Sequence, residues 1–301
     1  MRFKLIQMTQ NPIDVMWVAA RTCYSEKSPI DIWDSIDAYV GQYTAYPYGV
    51  ENVDGKLIAL EDNKRWNLVK KVLDSGHQSI AEHVYFTFAI EGISRSCSHQ
   101  LVRHRAGIVF SQQSQRYVEI KEDVSDILRW EEAKPLLDKY FVNVNTSNWQ
   151  EYLDCLKHYL HHIEMGMRAE DARNVLPNAT KTNITMSINF RELIHICNLR
   201  LCTRAQLEIR QLFQAIKEEV NKYEPKLASL LVPSCEVTGF CREGKCCGRK
   251  PSVKEISELY KLLQTDETVL SNEDWKQLMG SINNPQVNKK LQKFMKENIV
   301  I

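Results

Sequence analysis

The sequence predicts a mixed fold in which a few short strands pack against several longer helices. Three observations carry that expectation. V-Y-F-T-F-A-I at 84–90 places Val84, Phe86, Phe88 and Ile90 on one side, the period of a strand with one buried face. Stretches near 61–74, 148–166 and 186–223 place apolar residues three and four apart, the stripe of an amphipathic helix. Hydrophobic residues make up 44% and charged residues 26% of the 301, enough for a substantial core in a water-exposed protein. A net charge of +1 argues against non-specific nucleic-acid binding, so any basic patch is local. There is no signal peptide and no apolar run of membrane-spanning length. A cytoplasmic protein with no membrane partner is expected.

Taken in order, Phe3–Met8 reads as a first strand. Pro12 opens a helix running to about Tyr24, with proline at an early helical position. A short helix is expected near Ile32–Tyr39 within an otherwise irregular 26–60. Glu61–Asp74 follows as a helix stopped at Gly76. Ser79 and Glu82 form S-x-x-E, which serves equally as a capping box or as part of a site. After the strand at 84–90, expected to end at Glu91-Gly92, Ser94 is positioned to N-cap a helix. On it Cys97 and Leu101 share one face, and Gln100, Arg103 and His104 share another, before Ala106-Gly107 breaks it. An extended segment runs from Ile108 to Ile120.

A short charged helix and a turn at Asn143–Asn148 precede the helix of about 148–166, whose apolar side carries Tyr152, Cys155, Leu156 and Tyr159. Arg173 then falls shortly before Pro177. Met186–Tyr223 is expected as one long helix with Arg191/His195 and Arg200/Arg204 as i, i+4 pairs. Arg200 sits in an apolar run, where a guanidinium needs an anionic partner, either a ligand or a buried acid. Pro251–Gln264 and Asn272–Met279 read as two charged amphipathic helices, the second opened by Ser271-x-x-Asp274.

The nine cysteines are odd in number and scattered, which argues for reduced thiols. Cys235, Cys241, Cys246 and Cys247 cluster as C-x5-C-x4-C-C, a poor match to zinc-ligand pairs. Free thiols are expected there, and no metal site is assigned.

The residue-richest stretch is H-Q-L-V-R-H-R-A-G-I-V-F-S-Q-Q-S-Q-R-Y, His99 to Tyr117. Guanidinium forks suit phosphate, and Gln and Ser suit the edges of a heterocycle. R-H-R alone is equally the solvated end of a helix. The polar, nearly uncharged S-Q-Q-S-Q-R that follows favours a phosphorylated, nucleotide-like ligand.

These motifs also occur together in one known family. A-A-R-T-C-Y-S, G-H-Q-S-I-A-E-H-V-Y-F-T-F, H-Q-L-V-R-H-R with S-Q-Q-S-Q-R-Y, A-R-N-V-L-P-N-A-T and N-L-R, in that order, resemble the flavin-dependent thymidylate synthases (the ThyX family) over about residues 1–245. The resemblance implies an α+β fold, a β-sheet packed on long α-helices, assembled as a homotetramer with sites shared between subunits. Residues 1–245 would be the catalytic domain and 246–301 a charged helical C-terminal extension. It implies reductive methylation of dUMP to dTMP, with 5,10-methylenetetrahydrofolate as carbon donor, FAD as hydride source and NADPH as its reductant. No cysteine nucleophile is implied.

By position, the resemblance puts Gln100, Leu101, Val102, Arg103, Gln112, Gln113, Ser114, Gln115, Arg116, Arg173 and Arg200 on dUMP. It puts His77, Ser79, Arg103, His104, Arg105, Gln112, Asn189, Phe190, Arg191 and His195 on FAD. Arg200 would be catalytic, favouring the N3-ionised uracil, and Ser114 a positioning hydroxyl. The interval from Arg105 to Ser114 is one residue longer than the family's usual spacing, and position 204 is Arg where some members have His. A non-catalytic flavin- or nucleotide-binding relative of the same fold is the competing reading.

Overall fold

The computed structural model describes residues 1–40 and 55–262, and their packing separates into two compact units divided between Leu193 and Ile194. The residues expected to form the second charged helix, with Ser271 and Asp274, lie outside the described residues, as do Gly41, Pro47 and Gly49.

The first unit is built on a four-stranded antiparallel sheet of β1 (Arg2–Met8), β2 (Tyr85–Ser94), β3 (Ile108–Gln112) and β4 (Lys181–Asn189), in spatial order β1-β2-β4-β3. Its buried face is made by cross-strand apolar pairs. Phe86, Phe88 and Ile90 stand opposite Ile188, Met186 and Ile184, and all six are 2% exposed or less. Such opposed pairs are the unit of sheet stabilisation. The expected alternation of 84–90 is therefore present, but β2 runs past Glu91-Gly92 to Ser94. It does so through a bulge between Glu91 and Ile93, with Gly92 at φ +74°. A bulge lets a glycine pass within a strand that a turn signal would end.

Around the sheet lie α1 (Pro12–Thr22), α2 (Pro29–Val40), α3 (Gly55–Asp74), α4 (Arg95–Leu101), α5 (Trp130–Tyr140), α6 (Trp149–Glu164) and α7 (Ala169–Ala172). Gly76 follows α3 at φ +91°, a left-handed stop that glycine accommodates without strain. α5 and α6 close on a cluster of Leu137, Phe141, Leu153 and Leu156. In α6 the apolar side is carried by Leu153, Leu156 and Tyr159, whereas Tyr152 and Cys155 are half-exposed.

Ser94 caps α4 as expected, its buried hydroxyl accepting the Cys97 N–H at 2.9 Å. Ser94→Ala is predicted to cost about 1 kcal/mol, read as a lower urea midpoint at unchanged slope. The S-x-x-E box is not formed. Ser79 lies inside a 3-10 helix, Gln78–His83, with no side-chain cap, and the Glu82 carboxylate instead pairs with Arg191.

The largest correction concerns 186–223. It is not one helix but the end of β4, then α8 (Phe190–Arg200), a break at 201–206, and α9 (Leu207–Tyr223). Thr182, Ile184, Met186 and Ile188 alternate as buried residues, the strand period. Asn189 ends the strand and caps α8, its side-chain oxygen accepting the Glu192 N–H at 2.8 Å. Arg204, in the break, is not on the helix that carries Arg200. Ile188-Asn189-Phe190 crosses the strand-to-helix junction without glycine or proline, so its apolar residues also fit a helical stripe.

The second unit carries α9, whose Ile209, Leu212, Phe213, Ile216 and Val220 are fully buried, then α10 (Pro225–Ala228), α11 (Ser234–Thr238) and α12 (Val253–Leu262). α12 lies within the expected 251–264 helix. No helix among the described residues is long and apolar enough to cross a membrane.

Candidate functional site

Strand β3 organises the polar residues of the first unit into two groups. R-H-R precedes it and S-Q-Q-S-Q-R-Y spans its end. α4 stops at Leu101, so Arg103, His104 and Arg105 do not continue a helix as expected. They occupy the turn between α4 and β3, begun by the His104 N–H donating to the Leu101 carbonyl at 3.2 Å. Five strand residues span about 16 Å, which sets the two groups apart at opposite ends of β3.

At the R-H-R end, Arg103 and Arg105 are exposed while His104 is half-buried, its Nδ1 3.7 Å from the Glu192 carboxylate. Gly107 closes this turn at φ +64° against Asn189. A Cβ there would fall 2.1 Å from the Asn189 side-chain nitrogen. The Asn189 N–H donates to the Gly107 carbonyl at 2.8 Å. Arg191, one residue into α8, reaches Glu82, which shares its 3-10 helix with Ser79; His77 immediately precedes that helix. Phe190 is fully buried, its ring centroid 5.9 Å from that of Phe86, and its N–H is committed to the Val84 carbonyl. Its role is therefore to anchor Asn189 and Arg191. Leu101 is fully buried as well, and Gln100 and Val102 are half-buried beside it.

At the other end, the Gln112 amide nitrogen donates to Ser98 at 3.0 Å and Thr182 at 3.2 Å, so it braces the sheet. Gln113 is locked to Asn183 by a backbone bond and a side-chain bond of 3.1 Å. The Ser114 hydroxyl accepts the Arg116 N–H at 3.1 Å, which bends the chain so that Gln115 and Arg116 form a turn. Arg116 donates to the Glu170 carboxylate at 2.8 Å, and the Arg173 Nε donates to the Glu170 carbonyl at 3.0 Å.

The structure adds a residue that sequence reasoning missed. Arg95 donates to the Gln113 carbonyl at 2.9 Å, and its Nε is buried without a partner. Burial, and then the like charge of Arg173, lowers its pKa from the usual arginine range. An anion held by both guanidiniums would offset that repulsion. The available signal was Arg95 at the first helical position, opposite to the placement a helix dipole favours for a cation.

His195 and Arg200 lie on α8 beyond Leu193 and belong to the second unit; Arg200 is half-buried at the helix end and His195 is exposed. Cys97 and Cys197 are fully buried, and burial pushes the Cys197 thiol far above its ordinary range. That environment makes neither a ready nucleophile. Among the described residues no three His, Cys, Asp or Glu side chains are arranged to hold a metal ion.

Comparison with known proteins gives a consistent picture. The Thy1 family, described as thymidylate synthase complementing protein, matches residues 4–226. Flavin-dependent thymidylate synthases of Geobacter sulfurreducens and Clostridium tetani are 36% and 37% identical over 261 and 268 residues. Each alignment covers 85% of this chain, and 97% and 96% of those proteins. A crystal structure of the Helicobacter pylori flavin-dependent thymidylate synthase, described as complexed with FAD and dUMP, has a TM-score of 0.58 at 23% identity. That match covers 77% of this chain and 100% of the other, and it shows the expected α+β fold.

Proposed function

The chain belongs to the flavin-dependent thymidylate synthase (Thy1) family, and from that premise we propose that it methylates dUMP reductively to dTMP. In this reading 5,10-methylenetetrahydrofolate supplies the carbon and NADPH the electrons. The observation that carries the reading is the Arg95 guanidinium on the Gln113 carbonyl, its Nε buried without a partner and its charge opposed by Arg173. Arg95, Arg173 and Arg116 would hold the dUMP phosphate, and the Ser114 hydroxyl would set the turn that presents Gln115 and Arg116. His104 lies at the other end of β3, so Ser114 has no base within its own loop and acts by positioning.

The residues at the R-H-R end fit FAD. Arg103 and Arg105 offer exposed guanidiniums suited to a pyrophosphate, and Gly107 keeps the turn free of a Cβ where Asn189 approaches. His77, Ser79, His104, Asn189, Arg191 and His195 would complete the binding set, with Phe190 holding the strand-to-helix junction in place. Gln112, spent on Ser98 and Thr182, would act through the sheet. When bound, FAD supplies the two-electron chemistry that completes the methyl group. Arg200 would stabilise negative charge on the uracil ring, which makes C5 nucleophilic.

Gln100–Arg103 and Gln113–Arg116 flank β3 at its two ends, a separation that suits a dUMP site assembled from two protomers. A homotetramer with shared sites follows from this reading, with 246–301 as an extension outside the catalytic domain.

The test is anaerobic spectroscopy of the purified protein reconstituted with FAD, followed by product analysis. NADPH with dUMP should bleach the flavin band, and adding methylenetetrahydrofolate should yield dTMP. A protein that holds flavin but forms no dTMP would favour the non-catalytic relative. Arg95→Gln should raise the KM for dUMP about 10- to 100-fold, the worth of a charge-assisted hydrogen bond, with flavin content unchanged. An unaltered KM would remove Arg95 from the phosphate site.

A further inference from the structure

The second unit holds a cavity of about 610 Å³, lined by none of the residues assigned above to dUMP or FAD. That volume lies in the range of small-molecule sites. One wall is a stripe of α9, where Leu207, Arg210, Gln214 and Lys217 follow at steps of three and four, one face of a helix. Gln211 lies beside Arg210 on the same wall. Three cations and one carboxylate line the cavity: Arg210, Lys217, Arg249 and Glu236. Glu236 is already answered by Lys250 at 3.4 Å. Arg210 donates to the Thr203 carbonyl at 3.0 Å, which uses one of its five N–H donors. Among the described residues no carboxylate is ion-paired with Arg210, Lys217 or Arg249. Arg210 and Lys217 are half-buried and Arg249 is exposed. Positive charge partly withdrawn from water without a counter-charge is costly, and an anionic ligand would offset that cost.

We propose that this cavity binds a nucleotide carrying two or more phosphate groups. Arg210 and Lys217 stand seven residues apart, about 10 Å along the helix axis. A single phosphate does not serve both, whereas a ligand with several anionic groups does. Guanidinium forks take phosphate bidentately and an ammonium takes it as a point charge. Between the two cations, Gln211 and Gln214 offer side-chain amides, which donate and accept and so suit the edge of a base. The Gln214 nitrogen is committed to Glu218 at 3.0 Å, so its oxygen is the group left to accept. Leu207, Val232 and Pro233 supply apolar surface to cover a ring. Two sources share this chemistry. One is NADPH, which rests on the proposed reaction and to which no residue has been assigned above. The other is a free nucleoside triphosphate acting as an effector, which does not depend on that reading.

The full chain, loaded with FAD and saturated with dUMP, is titrated calorimetrically with NADP+ and, separately, with dTTP. Binding is read without turnover, so the result stands apart from whether dTMP forms. At least one of the two should bind, and its affinity should fall as NaCl is raised, because charge pairs open to solvent are screened. Lys217→Gln should weaken that binding about 10- to 100-fold, the worth of a charge-assisted hydrogen bond. Arg249→Gln, at an exposed position, should weaken it about two- to fivefold. Flavin content and unfolding midpoint should hold in both variants. Lys245→Gln, an exposed cation of the same unit outside the cavity, should change nothing. Binding of NADP+ assigns the reductant, and Lys217→Gln should then raise the KM for NADPH in flavin reduction by the same factor. Binding of dTTP without NADP+ assigns an effector, and that KM should not move. Failure of both nucleotides to bind, as when a second copy of the chain covers the cavity, would overturn the proposal. Affinity unchanged in Lys217→Gln and Arg249→Gln would overturn it too, since the nucleotide would then sit elsewhere.

Discussion

Arg200→Ala is expected to lower dTMP formation by about a thousandfold while the protein keeps its flavin. Uracil C5 attacks carbon only when negative charge spreads over the ring, and a positioned guanidinium stabilises that charge. Removing one preorganised donor from such a centre costs about 10²- to 10³-fold in rate. Arg200 closes α8, whereas Arg103 and Arg105 precede β3, so its loss should spare the flavin spectrum. The check is paired: dTMP by chromatography under saturating substrates, and flavin absorbance of the same preparation. Unchanged turnover would remove Arg200 from the mechanism. Lost flavin would mean that its role is structural.

Gly107→Ala should act by the opposite route, on the architecture of the R-H-R turn. Gly107 has φ +64°, and a Cβ would lie 2.1 Å from Nδ2 and 2.6 Å from Cγ of Asn189. A left-handed alanine costs about 1–2 kcal/mol, and overpacking adds about 1–3 kcal/mol. Displacing Asn189 also removes the cap on the Glu192 N–H, worth about 1 kcal/mol. A loss of roughly 3–6 kcal/mol, seen as a lower unfolding midpoint, should accompany reduced flavin content, because Glu192 also faces His104. If both stability and flavin content hold, the Gly107–Asn189 contact does not organise the site.

The elements read most readily from sequence were those whose local signals agree. The strand at 84–90 shows strict alternation, α1 has its early proline, α3 its glycine stop and α4 its serine cap. Reading failed at 181–200, where strand and helix join without a breaker. Asn189-x-x-Glu192 was the usable clue, an N-cap pattern inside an apolar run. In the site, Arg116 and Arg173 were visible as residue types, but Arg95 was not. Its significance depends on Arg173, far away in sequence, and like charges brought together leave no local trace.

By itself the sequence determined the family, through five motifs in order, and the alternating and helical stretches that make an α+β fold. Only the tertiary structure decided that R-H-R and S-Q-Q-S-Q-R-Y stand at opposite ends of one strand. It also decided that Gln112 serves the sheet and that the charge of Arg173 acts on the half-buried Arg95. The physical reason is that periodicity and capping act over one or two turns of chain. Burial, like-charge convergence and side-chain pairing depend on which distant segments the sheet brings together.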